Sequence, residues 1–270
     1  MSLIANARMY AVAPGAAQAW KQLFAWLATH SGVELEAMDH AAPAPLEALW
    51  SRSDLGCAFM CGFPFARSQP RPKVVAAPVP SDPRYGGLPV YFTDLVVRAD
   101  SACRTLEDTF GKRLGYTVET SHSGFNALRH HLLPFRSEGR PKLYAETVGP
   151  LVTPRRVVEA LLADEIDIGP LDGFALDLIR RHEPALAARL HIVATTDAAP
   201  IPLLIASPSC PDETVSRLTA SLVAFGATAE CASLRDELCL SGFAPVVPAN
   251  YEKTIVWDRE AVAAGYAMPG

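Results

Sequence analysis

A short run of hydroxyl, imidazole and glycine residues is the part of this sequence best suited to bind an oxyanion. Its members are Ser121, His122, Ser123 and Gly124. They stand between a strand-like segment at 114–118 and an amphipathic helical segment at 124–133. The N terminus of a helix has unpaired N–H groups and a dipole that favours negative charge. The serine hydroxyls add donors, and the glycine would let a ligand approach the backbone. Serine is also a common helix cap that needs no ligand, and the motif alone leaves both interpretations open.

Three polar residues of the following helical segment deserve the same scrutiny. An amide in the first turn can donate to an oxyanion oxygen, so Asn126 is a further candidate, with a solvated polar residue as the alternative. Successive helical residues diverge by about 100°, so His130 and His131 cannot converge on one metal ion. Histidines are in any case favoured near a helix C terminus. We therefore predict no metal site in this segment.

Two other candidate loops follow strand-like segments, where open α/β sheets bind their ligands. The segment 55–60 ends at Cys61 and Gly62, and Asp172 precedes a helical segment at 173–182. The Asp172 carboxylate can accept a hydrogen bond from a donor group of a ligand. It can equally cap the helix that follows it, for which aspartate is a preferred residue.

Catalytic motifs are missing from the sequence. It contains no G-x-S-x-G, H-E-x-x-H, Walker or G-x-G-x-x-G pattern. Ser123 beside His122 does not make a catalytic pair, because adjacent side chains do not take the geometry of nucleophile and base. We predict no catalytic residue, no cofactor and no metal.

The composition is that of a globular protein with one large or two small domains. The chain has 270 residues, of which 50% are hydrophobic and 20% charged, with a net charge of −5. The lack of a basic run argues against nucleic acid as a partner, and no apolar run reaches the roughly 18–20 residues of a membrane span. The first fifteen residues lack the apolar core and cleavage site of a signal peptide, which predicts a trimmed chain or a cytoplasmic relative. The six cysteines lack zinc-site spacing and are expected to be free thiols.

Strand-like and helical segments alternate along the chain, which predicts an α/β fold with mainly parallel strands. Predicted strands lie at 8–12, 33–38, 55–60, 74–77, 95–97, 114–118, 143–147, 166–168, 191–195 and 203–206. Predicted helices lie at 16–27, 45–50, 124–133, 154–164, 173–182, 212–226 and 229–240. A tail at 248–270 is expected to wrap the surface.

The order of these parts over residues 7–245 resembles the periplasmic binding proteins for phosphonate, phosphite and phosphate that serve ABC transporters. The stretches that carry the resemblance are YFTDLVVRADSACRTLEDTFGKRLGYTVETSHSG, VVEALLADEIDIGPLDGFALDLI and LHIVATTDAAPIPLLIAS. It implies a two-lobed type II periplasmic-binding-protein fold with two hinge crossovers, near 90–98 and 192–203. Lobe one would comprise 1–92 plus 200–270 and lobe two 93–199, with the ligand cleft between them.

The resemblance also implies a function and some of its residues. In the periplasm, the protein would capture a small oxyanion, which is a phosphonate or a related organophosphorus or sulfonate compound. It would deliver this ligand to an ABC transporter permease. Tyr91 and Thr93 match the family's Tyr-x-Ser at the hinge strand, and Thr196 lies on the return crossover. The aspartate matching Asp172 faces the ligand in the family.

The sequence departs from the family pattern at residues 148–153, directly before the predicted helix at 154–164. Many phosphonate binders have a Gly-Ser-His type sequence there, whereas this chain has VGPLVT at 148–153, without the serine and histidine. The alternative function is a cytoplasmic enzyme on the same fold, since menaquinone-pathway enzymes and thiamine-pyrimidine synthases share this architecture.

Overall fold

A computed structural model describes residues 2–270 of the chain as a mixed α/β structure. The strands are β1 (Leu3–Asn6), β2 (Leu35–Ala37), β3 (Leu55–Met60), β4 (Lys73–Pro80), β5 (Val90–Tyr91), β6 (Thr93–Arg98), β7 (Arg113–Gly115), β8 (Glu146–Val148), β9 (Gly169–Asp172), β10 (Leu190–Thr195), β11 (Ala199–Pro200), β12 (Leu203–Ala206) and β13 (Leu240–Ala244). The α-helices are α1 (Pro14–Ser31), α2 (Leu46–Trp50), α3 (Gly62–Arg67), α4 (Ala127–Leu132), α5 (Pro154–Leu162), α6 (Gly173–His182), α7 (Pro184–Ala187), α8 (Asp212–Phe225), α9 (Ala232–Glu237) and α10 (Glu252–Ala263). A π-helix at His122–Asn126 directly precedes α4.

The chain forms two compact units, and the backbone passes from one unit to the other three times, after Val90, Ala199 and Tyr251. Unit one contains the residues up to Val90 and Pro200–Tyr251, and unit two contains Tyr91–Ala199 and Glu252–Gly270. The sequence analysis predicted two crossovers and assigned 252–270 to lobe one. The structure places this segment in unit two instead, because α10 packs against α4 and the π-helix.

Unit one is built on a six-stranded sheet in the order β13-β4-β12-β3-β1-β2. β1 runs parallel to β2 and β3, whereas β12 is antiparallel to both β3 and β4, and β13 is antiparallel to β4. The prediction of mainly parallel strands is therefore wrong for this sheet. The strands that return after residue 200 enter it in the opposite direction, which alternating strand and helix segments do not reveal.

Helix α1 shows how local sequence determines an element of unit one. Pro14 occupies the first turn, and Gly32 ends the helix in the left-handed conformation at φ 62°. The apolar face predicted from the spacing is buried, and it consists of Ala16, Trp20, Leu23, Phe24 and Leu27. Trp20 makes an edge contact with Phe59 of β3 at 4.9 Å between ring centroids, which fixes the helix on the sheet.

Unit two is built on the antiparallel strands β10, β6 and β9, with a parallel pair of β7 and β8. Its core contains Leu95, Val97, Leu114, Leu128, Leu132, Ile168 and Tyr266. Thr153 caps α5 by accepting a hydrogen bond from the Arg156 N–H at 3.1 Å, as the Thr-Pro sequence predicts. These strands carry at their ends the polar residues considered below.

Several predicted boundaries differ from the structure. The first strand is Leu3–Asn6, and residues 8–10 form a 3₁₀ helix instead of the predicted strand at 8–12. The loop expected at Cys61 and Gly62 is the start of helix α3. The strand predicted at 114–118 ends at Gly115. None of the helices within residues 2–270 combines the length and the apolar character needed to cross a bilayer.

Candidate oxyanion-binding site

Ser121 begins the helix that carries the predicted anion-binding loop. Its hydroxyl accepts a hydrogen bond from the Gly124 N–H at 3.0 Å, so it acts as the helix cap. Its carbonyl oxygen accepts from the Asn126 N–H at 3.0 Å, and the His122 carbonyl accepts from the Ala127 N–H. Both of these bonds span five residues, which is the register of a π-helix. The capping interpretation therefore describes Ser121.

Ser123 presents donors that the protein itself does not use. Its side chain is 8% exposed, and its hydroxyl has no hydrogen-bond partner among residues 2–270. The Ser123 N–H likewise has no acceptor within this described part of the chain, and the Phe125 N–H does not donate to the Ser121 carbonyl, which the Asn126 N–H occupies. The Ser123 carbonyl is occupied, since it accepts from the Thr93 hydroxyl at 3.2 Å. Two donors of Ser123, its hydroxyl and its N–H, are thus available at the start of one helix.

Gly124 is required by a protein contact rather than by the approach of a ligand. A Cβ atom added at this position would lie 1.8 Å from Thr117 Oγ1. The Thr117 N–H also donates to the Gly124 carbonyl at 3.2 Å, which holds the two backbones together. The structure therefore gives this glycine a packing reason, and its role in letting a ligand approach the backbone stays a prediction.

Thr93 stands at the centre of the polar residues at the strand ends of unit two. Its N–H donates to Thr196 Oγ1 at 3.0 Å, and the Thr196 N–H donates to the Thr93 carbonyl at 3.0 Å. It also pairs with Asp172 across β6 and β9. Because the Thr93 hydroxyl reaches Ser123, four of the predicted site residues form one connected group in unit two: Thr93, Ser123, Asp172 and Thr196.

Asp172 and Thr196 have structural duties within that group. Asp172 Oδ1 accepts hydrogen bonds from the N–H groups of Phe174 at 3.0 Å and Ala175 at 3.1 Å, so the carboxylate caps α6. The Thr196 hydroxyl donates to the Asp197 carbonyl at 3.1 Å while it accepts from Thr93. The cap on α6 uses the Oδ1 atom of Asp172. Thr196 uses its hydroxyl proton within the protein.

His122 and Tyr91 are both buried, and their rings lie 6.2 Å apart at an angle of 42°. Burial lowers the pKa of His122 to about 3, and the nearby His130 and Lys253 act in the same direction. The imidazole is therefore neutral at physiological pH. Because the Asn126 amide donates to His122 Nδ1 at 3.1 Å, the ring proton resides on Nε2.

Asn126 does not have the surroundings that either sequence-based interpretation predicted. Its side chain is 0% exposed, so it is not a solvated polar residue. Its amide nitrogen donates to the Thr254 carbonyl at 2.8 Å as well as to His122, which uses both amide hydrogens. Its oxygen accepts from Arg129 at 3.4 Å. Asn126 therefore has no donor left for a ligand, and it links the π-helix to α10.

Helix α10 contacts this loop through residues that the sequence analysis did not single out. The Trp257 ring stacks on His122 at 5.2 Å and 20°, and on His130 at 4.7 Å and 6°. The buried residues Thr254, Trp257 and Ala261 recur at a spacing of three and four. This is a helical apolar face. The same spacing, read from the sequence, indicates a packed helix at 252–263. The prediction that 248–270 is a tail that wraps the surface does not take it into account.

His130 and His131 do not form a metal pair, in agreement with their divergence along the helix. His130 Nε2 lies 2.7 Å from Glu260 Oε2, whereas His131 lines a pocket of about 100 Å³ together with Thr196, Asp197 and Trp257. Burial lowers the pKa of His131, and Asp197 opposes that shift. Within residues 2–270, no three His, Cys, Asp or Glu side chains are arranged to hold a metal ion.

Cys61 and Gly62 belong to unit one, where they begin α3. The Cys61 carbonyl accepts from the Phe65 N–H at 3.1 Å, and its thiol is buried and is not part of a disulfide. A Cβ atom at Gly62 would lie 2.6 Å from Tyr251 Cδ1, so the glycine makes room for that ring. The Tyr251 hydroxyl donates to the Ile201 carbonyl at 2.8 Å, and burial raises the pKa of this tyrosine.

The sequence matches a known protein family over most of its length. Residues 13–251 match the profile of the family described as "ABC transporter, phosphonate, periplasmic substrate-binding protein". The chain belongs to this phosphonate-binding family. It is therefore a solute-binding protein of the ABC-transporter type, and the predicted non-enzymatic function is supported by this membership. Among curated proteins, none matches the sequence significantly.

Several solved structures share the fold of this chain. A binding protein component of an ABC phosphonate transporter from Pseudomonas aeruginosa (PA3383) superposes with a TM-score of 0.82 at 15% identity, covering 98% of this chain and 88% of the other. PhnD1 from Prochlorococcus marinus, in complex with methylphosphonate, gives a TM-score of 0.79 at 12% identity, covering 96% and 97%. XAC2383 from Xanthomonas citri, bound to ATP, gives 0.63 at 16% identity, covering 98% of both chains. The predicted periplasmic-binding-protein fold is confirmed.

Proposed function

We propose that this phosphonate-binding family member captures a small oxyanion, a phosphonate or a related organophosphorus or sulfonate compound, for uptake by an ABC transporter in the periplasm. The loop Ser121–Gly124 is the element that binds the oxyanion. The observation that carries the proposal is a pair of unused donors in one buried turn, the hydroxyl and the N–H of Ser123. Membership of the phosphonate-binding family supports the ligand class.

The chemistry of these donors suits a tetrahedral oxyanion. Each hydrogen bond to a charged acceptor contributes roughly 1.5–3 kcal/mol. The helix dipole adds a favourable field at the same point. Asp172 pairs with Thr93 in the sheet, and its carboxylate accepts a hydrogen bond from an acidic P–OH group of the ligand. Four such bonds, reduced by the cost of ordering the ligand, correspond to a dissociation constant on the order of micromolar, about −8 kcal/mol.

Neutral His122 complements this design. A buried imidazolium would attract the oxyanion, but keeping its charge out of water would cost desolvation energy. The depressed pKa of His122 leaves binding to hydrogen-bond donors whose number does not change with pH above the acid range. Discrimination by charge then rests on the ligand and on Asp172.

The test is isothermal titration calorimetry with methylphosphonate, inorganic phosphate and methanesulfonate. We expect micromolar affinity for at least one of them, and a roughly tenfold loss in Ser123→Ala, which removes one hydrogen bond of about 1.4 kcal/mol. The exposed Ser233, which lies on α9, provides the control: Ser233→Ala should bind as the wild type does. Wild-type protein that binds none of the three compounds below millimolar concentration would exclude the proposed ligand class.

A stability measurement separates the two serines. Ser121→Ala removes the cap on the Gly124 N–H and should lower the free energy of unfolding by about 1 kcal/mol. Ser123→Ala removes a hydroxyl without a protein partner and should leave that free energy nearly unchanged. A large loss of stability in Ser123→Ala would mean that this hydroxyl serves the fold instead of a ligand.

A further inference from the structure

The backbone register at the start of the loop helix decides how many N–H groups are available. In an α-helix beginning at Ser121, the Phe125 N–H would donate to the Ser121 carbonyl. In the observed π register, the Asn126 N–H occupies that carbonyl at 3.0 Å, and the Phe125 N–H does not donate to it. The π-turn therefore withholds from the Phe125 N–H the acceptor that it would have in an α-helix. Such turns are energetically unfavourable and need to be held by their surroundings.

One side of the π-turn is held by the strands of unit two. The Ser123 carbonyl accepts from the Thr93 hydroxyl at 3.2 Å, and the Gly124 carbonyl accepts from the Thr117 N–H at 3.2 Å. In a regular helix these two carbonyls would accept only from the N–H groups of the next turn. Outside donors that compete for them favour a widened turn.

The other side is held by helix α10. The Asn126 amide donates both to the Thr254 carbonyl at 2.8 Å and to His122 Nδ1 at 3.1 Å, which ties the two ends of the π-turn to each other and to α10. The His122 ring stacks on Trp257 at 5.2 Å. Asn126 and Thr254 are 0% exposed, so water does not compete for these bonds.

We propose that α10 acts as a register clamp: through Asn126 and Trp257 it holds the turn at His122–Asn126 in the π register, and it thereby keeps the Phe125 N–H available to the bound oxyanion. Asn126 and Trp257 are positioning residues that touch no ligand. The inference rests on the proposed function for the role of the freed N–H, but the register itself is a separate, observable property. Residues 252–263 lie beyond the part of the chain that matches the family profile, which ends at residue 251.

The experiment compares variants at the two ends of the C-terminal segment. Asn126→Ala and Trp257→Ala remove the clamp at the loop, and Trp257→Phe retains a stacking ring. Arg136→Ala is the matched control, because Arg136 contacts the same C-terminal segment at other residues: it donates to the Ala264 carbonyl at 3.1 Å and lies over the Tyr266 ring at 4.1 Å. Each protein is crystallised to read the backbone hydrogen bonds of residues 121–127, and is titrated with methylphosphonate by calorimetry.

We expect Asn126→Ala and Trp257→Ala to show the Phe125 N–H donating to the Ser121 carbonyl, with affinity for methylphosphonate roughly tenfold weaker, the equivalent of one hydrogen bond. Trp257→Phe should recover the π register and most of the affinity, and Arg136→Ala should match the wild type in both. Two variants at the clamp are used so that poor folding of one leaves the other to decide.

Retention of the π register in both clamp variants would overturn the proposal, as would a change to the α register with unchanged affinity. A wild-type protein that binds no methylphosphonate would contradict the proposed ligand instead. In that case the crystal structures still decide the clamp: an α register in the clamp variants supports it, and a π register refutes it.

Discussion

The Arg129 guanidinium and the Asp258 carboxylate form an ion pair in which the arginine side chain is only 4% exposed and the aspartate side chain 28%. The same guanidinium donates to the Ala267 carbonyl at 3.0 Å and lies over the Phe125 ring at 5.1 Å. The pair thus joins α4 to α10 from the side opposite to solvent. It differs in kind from the exposed ion pairs of the same unit.

Asp258→Asn should destabilise the protein markedly, because it leaves the Arg129 charge buried without a counterion. Loss of one partner of a buried pair costs about 3–5 kcal/mol, and partial exposure of Asp258 places the expected effect near the lower end. The exposed pair of Arg98 and Asp100 is the matched control, and Asp100→Asn should change the free energy of unfolding very little. Urea denaturation followed by circular dichroism measures both, and equal losses would contradict this account.

The depressed pKa of His122 predicts a loss of stability in acid. The folded-state pKa of about 3 lies below the ordinary value near 6.5, so the unfolded chain binds an extra proton between these values. Stability from this group is fully present above pH 6.5 and is lost as pH falls towards 3, by about 1.4 kcal/mol per pH unit. Between pH 7 and pH 5 the expected loss is about 2 kcal/mol.

The variant His122→Phe keeps an aromatic ring against Trp257 and removes the titrating group. We expect its free energy of unfolding to fall less steeply than that of the wild type between pH 7 and pH 5. His131, whose pKa is also lowered by burial, contributes in the same direction and remains in both proteins, so the difference isolates His122. Identical slopes would show that His122 is accessible to protons in the folded state.

Asp172 should make ligand binding depend on pH in a second way. A monoanionic phosphonate carries a P–OH proton that the carboxylate can accept, whereas the dianion is repelled by it. Affinity for methylphosphonate should therefore weaken as pH rises through the second ionisation of the ligand. Asp172→Asn should flatten this dependence while it preserves the cap on α6, because asparagine caps a helix about as well as aspartate.

The control for that experiment is Asp172→Ala, which removes the cap as well and should cost about 1 kcal/mol of stability. Titrations of the wild type and Asp172→Asn across the same pH range decide the matter. Parallel affinity curves would mean that Asp172 serves α6 alone and that discrimination between ligand charge states has another origin.

Elements with a complete local pattern were predictable from the sequence. The apolar spacing of α1, the buried run of β3 and the Thr-Pro start of α5 each matched the structure closely. Strand β4 was predicted too short, as 74–77, because Pro78 and Pro80 are unusual in a strand. These residues pair with β13 in the structure, and that pairing depends on a segment more than 150 residues away.

The features of the candidate site that sequence reasoning did not yield are set by distant partners. The burial of Asn126 depends on Thr254, and the need for glycine at 124 depends on Thr117. The local sequence of a helical turn does not predict a π register, because the register depends on which groups outside the turn compete for its carbonyl oxygens. Residue types at 121–124 could therefore suggest an oxyanion loop, but they could not indicate which of its N–H groups are unused.

The docking of residues 252–263 on unit two has a consequence for biosynthesis. The segment 91–199 leaves the ribosome well before α10, so during synthesis its buried partners for Asn126 and Arg129 do not yet exist. Until α10 has been made, Arg129 lacks its counterion Asp258, and the Asn126 amide lacks the Thr254 carbonyl as an acceptor. Nascent chains should therefore hold unit two in an incomplete state, in which the face of α4 that contacts α10 stays uncovered until α10 has been translated.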